Sequence, residues 1–101
     1  MIKQGVKARG LQPEIALAVA EAREVYREFN AEIVITSLLD GEHMKGSKHY
    51  DGQAVDLRVR HLSRSDWSTV ASRIRVALGP EYDVVLEAEK LHIHIEFDPK
   101  E

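Results

Sequence analysis

Apolar residues recur along the first third of the chain at a spacing typical of a helix. From Pro13 to Asn30 they return every three or four residues, which places them on one helical face. Pro13 is tolerated in a first helical turn, and Glu14 beside it suits the positive end of the helix dipole. The predicted core stripe of this helix is Ile15, Val19, Ala22, Tyr26 and Phe29.

A second helical pattern follows Ser63. We expect Ser63 to cap its first turn, with Asp66 three residues on completing the cap. Gly79 and Pro80 mark the end of the helix. Its predicted core stripe is Trp67, Val70, Ala71, Ile74 and Leu78.

Four other segments are rich in β-branched residues or alternate between apolar and polar positions, as strands do. The predicted strands are residues 32–38, 53–59, 82–87 and 91–97. Residues 39–52 hold three of the six glycines and predict a long loop, a feature that is usually functional in a compact domain. This order of elements predicts an α+β fold, in which a small, mostly antiparallel sheet carries two helices on one side.

Composition narrows the class of protein. The 101 residues suit one domain, with residues 1–11 as a polar lead-in, and the absence of Cys excludes disulfides and thiolate metal sites. A formal net charge of −3 argues against a nucleic-acid partner. No apolar run is long enough to span a bilayer and no secretory signal is visible, so we expect no membrane partner and a cytoplasmic location until release.

The last predicted strand, LHIHIEF, places His92, His94 and Glu96 on one face, opposite its apolar residues. Two His at this spacing suit a common site, although a solvated polar face is the alternative. Asp56 lies between Val55 and Leu57, where a carboxylate is costly to bury unless it is paired or bound to a cation. Two roles are therefore open for Asp56. It either forms a salt bridge with Arg58 or Arg60, or it is a metal ligand.

His49 lies seven residues before Asp56, in the predicted loop. The stretch from Tyr50 to Gly52 can reverse the chain and bring His49 beside Asp56. With His94, these residues would form a set of two imidazoles and one carboxylate that leaves a position open for water, as catalytic zinc sites do. Other divalent metals also accept this set.

Two segments together resemble a known family. SKHYDGQAVD, from Ser47 to Asp56, resembles the S-x-H-x-x-G-x-A-x-D signature of zinc D-alanyl-D-alanine carboxypeptidases, and HIH, from His92 to His94, resembles their second motif, H-x-H. The group includes VanY-like carboxypeptidases and phage L-alanyl-D-glutamate endolysins, and the sonic hedgehog signalling domain shares the fold. The resemblance covers roughly residues 32–99, with the motifs in the family's order.

The resemblance implies a role for each matching position. His49, Asp56 and His94 correspond to the zinc ligands. His92 corresponds to a residue beside the metal that stabilises the transition state, and Ser47 to a position that hydrogen-bonds the substrate.

Two assignments stay open within the resemblance. The family's general base is a Glu shortly before H-x-H, and this chain offers Glu87, which we prefer because it ends a predicted strand, or Glu89 in the link that follows. Family members commonly carry an Arg for the substrate carboxylate just after the strand end that Thr36 and Ser37 match. Here these two residues are followed directly by Leu38 and Leu39, with no Arg. Arg58 is a candidate anchor for that carboxylate, and a surface salt bridge is its alternative role.

The implied function is that of a monomeric zinc-dependent metallopeptidase acting on peptidoglycan stem peptides. It would be of the D-Ala-D-Ala carboxypeptidase or the L-Ala-D-Glu endopeptidase type, either bacterial or associated with a phage virion or phage lysis. The alternative is a non-catalytic, zinc-bearing binding module of the same fold.

Overall fold

A computed structural model describes residues 12–39 and 54–99 of the chain, and the predicted lead-in lies outside them. The described part contains two α-helices and a four-stranded antiparallel sheet, so the predicted α+β class is confirmed. The helices are α1, Pro13–Glu28, and α2, Trp67–Leu78; the strands are β1, Ile35–Leu39, β2, Ala54–Arg58, β3, Tyr82–Glu87, and β4, His92–Phe97. Neither α1 nor α2, the two α-helices of the described ranges, has the length and apolar character that a membrane-spanning helix requires.

The sheet has the order β1-β2-β4-β3, which puts β2 and β4 in its centre. All three neighbouring pairs are antiparallel. Alternate residues of the two central strands therefore face either the helices or the opposite side of the sheet. The apolar side forms one core with the buried faces of α1 and α2.

Helix α1 has Pro13 in its first turn, as the sequence predicts. Of its predicted stripe, Ile15, Ala22 and Tyr26 are fully buried, whereas Val19 and Phe29 are partly buried at the margin of the core. The Tyr26 hydroxyl donates a hydrogen bond of 2.6 Å to the backbone carbonyl of Arg58. This bond ties α1 to the end of β2, and burial raises the pKa of Tyr26.

The start of α2 differs from the prediction. A 3₁₀ turn, Arg64–Asp66, precedes the helix, and Ser63 makes no side-chain capping bond; its backbone carbonyl instead accepts the Asp66 N–H at 2.8 Å. The backbone carbonyl of Ser63 thus accepts the N–H hydrogen bond that the Ser63 hydroxyl was expected to accept. Gly79 ends the helix at φ 87°, a conformation that glycine adopts readily.

Strand β1 ends one residue later and β2 one residue earlier than predicted, and the starts of β1 and β4 differ for structural reasons. Strand β1 begins at Ile35 instead of residue 32, although Ile33 and Val34 before it are buried. Strand β4 begins at His92 because Leu91 adopts a left-handed conformation, at φ 63°, in the link from β3. Both differences reflect backbone geometry at the strand ends, which apolar patterning does not report.

Candidate metal centre

The side of the sheet that faces away from the helices carries a cluster of polar side chains. On β4, Ile93 and Ile95 are fully buried in the core, while His92, His94 and Glu96 lie on the opposite face as predicted. Their side chains are shielded but not fully enclosed, with 16–17% of each exposed. The cluster therefore lies just below the protein surface, on the face of the sheet away from the helices, rather than inside the core.

Strand register brings the central members of this cluster together. Asp56 on β2 is directly opposite His94, and Glu87 at the end of β3 is directly opposite His92. Residues paired in this way have side chains on the same face of the sheet, with Cβ atoms about 4.5–5.5 Å apart. We call Asp56, Glu87, His92 and His94 the polar cluster.

Asp56 is the central residue of the polar cluster. It is the one buried charged residue in the part of the chain that the structure describes, with 6% of its surface exposed. Its Oδ1 lies 2.7 Å from Nδ1 of His94 and 3.6 Å from Nε2 of His92. Among the described residues, neither Arg58 nor Arg60 forms an ion pair with Asp56, so the two imidazoles are what compensate its burial.

His94 is held between two carboxylates. Its Nδ1 contacts Asp56, and its Nε2 lies 2.8 Å from Oε1 of Glu96. The hydrogen bond to Asp56 is the largest cause that raises the pKa of His94, to about 9; burial of the ring opposes the shift, and Glu96 adds to it. Without a bound metal, His94 is therefore an imidazolium at neutral pH that donates one hydrogen bond to Asp56 and one to Glu96.

The raised pKa predicts how the stability of the metal-free protein depends on pH. Because the pKa of His94 is higher in the folded state than its ordinary value of 6.5, this stabilisation is complete below pH 6.5 and is lost as the pH rises to about 9. After discounting for partial exposure of the ring, we expect a loss of about 1–2 kcal/mol in the free energy of unfolding.

Urea unfolding between pH 6 and 9.5, in the presence of a chelator, measures this loss. His61→Gln is the matched control, because His61 is exposed and contacts only the Glu32 carbonyl and the Tyr26 ring among the described residues. The control is expected to retain the slope of the wild type. A wild-type stability that stays constant over this range would contradict the prediction.

The link between β3 and β4 decides which acidic residue joins the cluster. Residues 88–91 form a four-residue turn that contains the 3₁₀ turn Ala88–Lys90 and ends at the left-handed Leu91. This turn pairs Glu87 with His92 and places Oε1 of Glu87 2.5 Å from Nε2 of His92. Glu89 lies within the turn and is exposed. Of the two acidic residues considered for the general base, Glu87 is therefore the one in the cluster.

The polar cluster offers ligands that suit a divalent cation. One ligand atom each from Asp56, Glu87 and His92 lies within 4.8 Å of the others, close enough to hold a metal ion. Ligands of a tetrahedral ion with bonds of about 2.0–2.1 Å are about 3.3 Å apart. The 3.6 Å between His92 and Asp56 is near this value, while the 2.5 Å contact of Glu87 with His92 is a hydrogen-bond distance. The cluster thus fits a cation if its internal hydrogen bonds open slightly.

The predicted site residues divide into those brought together and those outside the described ranges. Asp56, His94, His92 and Glu87 meet in the polar cluster. The predicted ligand His49 and the predicted substrate-binding residue Ser47 lie outside the described residues, so the complete ligand set of His49, Asp56 and His94 stays a prediction.

The sequence pattern predicts no role for Glu96. It places Glu96 on the same face as the two His residues but does not connect it with His94. The spacing of two residues along a strand was the available signal, because such neighbours share a face. In many metal sites, a carboxylate accepts a hydrogen bond from the second ring nitrogen of a metal-binding His. This bond fixes the orientation of the ring and which nitrogen carries the proton.

Two curated proteins share part of this sequence. Sonic hedgehog protein of Danio rerio is 40% identical over 55 residues, and sonic hedgehog protein of Xenopus laevis is 36% identical over 55 residues. Each match covers 54% of this chain and 12% of the other protein, so the chain spans about an eighth of the curated relatives it matches. No protein-family profile matches the chain, and no solved structure matches it significantly.

Proposed function

We propose that this chain is a zinc-dependent metallopeptidase that hydrolyses peptidoglycan stem peptides. The observation that carries the proposal is the buried Asp56 carboxylate, which contacts the imidazole of His94 and lies within metal-binding distance of His92 and Glu87 on the side of the sheet away from the helices. Nitrogen and oxygen ligands without Cys suit zinc. The motifs SKHYDGQAVD and HIH, which resemble those of the zinc D-alanyl-D-alanine carboxypeptidases, support the choice of reaction.

In this proposal Asp56 and His94 hold the metal together with His49. Asp56 and His94 already direct Oδ1 and Nδ1 at each other across 2.7 Å, and Glu96 orients the ring of His94 through the other nitrogen. Zinc in such a site supplies a Lewis acid and lowers the pKa of a bound water towards about 7. His94 must lose a proton before it can act as a ligand, so metal binding is expected to strengthen with pH.

Glu87 and His92 carry the proton transfer and charge stabilisation of the proposed reaction. Glu87 accepts a proton from the attacking water and passes it to the leaving amine. His92, whose Nε2 faces both Glu87 and Asp56, donates a hydrogen bond to the oxygen on which negative charge develops. The contact of 2.5 Å between Oε1 of Glu87 and Nε2 of His92 holds these two side chains beside each other.

The bond cleaved is of the D-Ala-D-Ala carboxypeptidase or the L-Ala-D-Glu endopeptidase type. We propose that the enzyme acts as a monomer and is of bacterial or phage origin. Its proposed location is the cytoplasm until release, or the phage virion. These parts of the proposal rest on the resemblance of the two motifs.

A non-catalytic, zinc-bearing binding module is the second candidate. The specific observation that favours it is the partial match to sonic hedgehog protein of Danio rerio and Xenopus laevis. In such a module the metal would stabilise the sheet, and the surface would bind a partner. The two candidates differ in whether Glu87 does chemistry or only packs beside the metal.

Zinc-dependent cleavage of peptidoglycan tests the proposal. The purified chain is loaded with one equivalent of zinc, incubated with peptidoglycan and with isolated muropeptides, and the products are identified by mass spectrometry. We expect a single type of peptide bond to be cleaved, no product after removal of the metal with a chelator, and one zinc per chain by elemental analysis. Stoichiometric zinc without any cleavage would favour the binding module, and the absence of zinc binding would contradict both candidates.

A further inference from the structure

Two different sets of metal ligands meet at Asp56. The motifs imply the set of His49, Asp56 and His94, whereas the ligand atoms that lie within 4.8 Å of one another belong to Asp56, Glu87 and His92. In the part of the chain that the structure describes, this is the one group of three or more potential ligands close enough to hold a metal ion. We call Asp56, Glu87 and His92 the second ligand set; it shares only Asp56 with the first.

The carboxylate of Asp56 can serve both sets. Its Oδ1 lies 2.7 Å from Nδ1 of His94 and 3.6 Å from Nε2 of His92. These two imidazoles are two residues apart on β4, or about 6.8 Å along the strand. A carboxylate has two oxygens that accept separately, and the cations of two-metal sites lie about 3.5–4 Å apart. The spacing of the imidazoles therefore suits one cation beside each of them, with Asp56 shared.

The second ligand set is open to solvent on the side of the sheet away from the helices. The side chain of Glu87 is 32% exposed and that of His92 is 16% exposed, so a hydrated cation can reach both. The 3.6 Å between His92 and Asp56 is near the separation of about 3.3 Å between ligands of a tetrahedral zinc ion. The contact of 2.5 Å between Glu87 and His92 is shorter, so a bound cation replaces this hydrogen bond.

We propose that a second, weaker zinc ion binds Asp56, Glu87 and His92 and inhibits the peptidase. The inference rests on the proposed function and adds a regulation of the same site. When bound to this ion, the carboxylate of Glu87 no longer accepts the proton of the attacking water. Nε2 of His92 then carries no hydrogen to donate to developing negative charge, because an imidazole nitrogen that binds a metal is unprotonated. One ion thus removes both groups from the reaction.

Electrostatic repulsion makes the second site the weaker one. Two divalent cations about 3.5–4 Å apart repel each other even in water. Arg58, the cross-strand partner of His92, and Lys90 line a pocket beside the cluster and add positive charge. We therefore expect the second zinc ion to bind at least about 100-fold more weakly than the first. One equivalent of zinc then loads the enzyme, and excess zinc inhibits it.

Elemental analysis after equilibrium dialysis counts the zinc ions, and NMR of the imidazole protons identifies the His that the second ion contacts. The wild type is expected to bind one zinc ion at one equivalent and two in excess zinc, with the second ion shifting the signals of His92. Glu87→Gln and His92→Gln are each expected to keep the first ion, which also reports that the variant is folded, and to lose the second. His61→Gln is the matched control because it removes an exposed imidazole outside the cluster, and it is expected to bind both ions.

Peptide hydrolysis is measured over the same range of zinc concentration. We expect the rate to be greatest at one equivalent and to fall at least about 100-fold when the second site is saturated, the lower end of the contribution of a general base. Excess Mg²⁺ is expected to leave the rate unchanged, because Mg²⁺ prefers oxygen ligands and retains several of its waters. The residual rate of Glu87→Gln is expected not to respond to excess zinc, which separates inhibition at this site from zinc binding to the substrate.

A wild type that binds only one zinc ion in excess zinc would overturn the inference. Retention of the second ion in both Glu87→Gln and His92→Gln would also overturn it, as would equal inhibition of the residual Glu87→Gln rate. These outcomes are distinguishable from failure of the proposed function. One zinc ion per chain, with cleavage that excess zinc does not change, would retain the proposed function and reject the inference. A second zinc ion that is lost in Glu87→Gln, in a chain that cleaves nothing, would retain the second cation site but reject the proposed function and with it the inhibition.

Discussion

Replacing Glu87 by Gln is expected to lower the rate of peptide hydrolysis by about 10²–10⁴-fold, the usual contribution of a positioned general base. The amide has nearly the same shape as the carboxylate but cannot accept the proton of the attacking water. The hydrogen bond to His92, 2.5 Å in the wild type, can still form through the amide oxygen, so the turn between β3 and β4 is expected to keep its structure. The measurement is kcat and kcat/KM on a muropeptide with zinc present.

Glu89→Gln is the matched control for this prediction. Glu89 lies two residues further along the same link, carries the same charge and is exposed. Its replacement is expected to change the rate less than about 2-fold, as for most surface changes remote from the chemistry. A large loss in Glu89→Gln with full activity in Glu87→Gln would reverse the assignment of the base.

Zinc binding separates two roles for Glu87. Replacing a general base leaves the zinc affinity nearly unchanged, whereas replacing a metal ligand lowers it. Because Glu87 also lies within metal-binding distance of Asp56 and His92, zinc affinity is measured on the same Glu87→Gln sample. An affinity that falls in parallel with the rate would contradict the role of base and make Glu87 a ligand.

Asp56→Asn is expected to weaken zinc binding by at least about 100-fold. Loss of an outer hydrogen-bonding partner commonly costs 10-fold to 100-fold in metal affinity, and Asp56 is proposed as a direct, anionic ligand. The same change removes the hydrogen bond that is the largest cause of the raised pKa of His94. The pKa of His94 is therefore expected to fall towards its ordinary value, which reduces the pH dependence of the metal-free protein.

A competition titration with a chromophoric chelator measures the zinc affinity, and NMR of the imidazole protons follows His94. Asp66→Asn serves as the control with the same charge change, because Asp66 lies in the 3₁₀ turn before α2 and not on the polar face. An Asp56→Asn protein that binds zinc within about 3-fold of the wild type would remove Asp56 from the ligand set and leave the metal proposal without its central residue.

Local periodicity was sufficient to predict most of the fold. Ile15, Ala22 and Tyr26 of the predicted helical stripe are buried, and the alternation in β4 places His92 and His94 on the face away from the core. Both patterns depend on the geometry of a single element, with a repeat of 3.6 residues in a helix and 2 in a strand. The cap expected at Ser63 did not form because a 3₁₀ turn satisfies the same backbone groups there.

The candidate site could be predicted only in part. Asp56 was identified because a carboxylate between apolar strand residues needs a partner, and the structure supplies that partner in His94. The choice between Glu87 and Glu89 depends on the number of residues in the turn and on the left-handed Leu91, which spacing alone does not reveal. His49 and Ser47 lie outside the described ranges, so their roles stay predictions.

Sequence by itself thus determined the class of fold, the two faces of the central strands and the unusual position of Asp56, because each follows from neighbours along one element. Tertiary structure decided which side chains meet: the pairing of Glu87 with His92, the hydrogen bond of His94 with Asp56 and the pocket lined by Arg58 and Lys90. These contacts join residues from different elements, and their positions are set by strand register and turn geometry, which no repeat along the chain encodes.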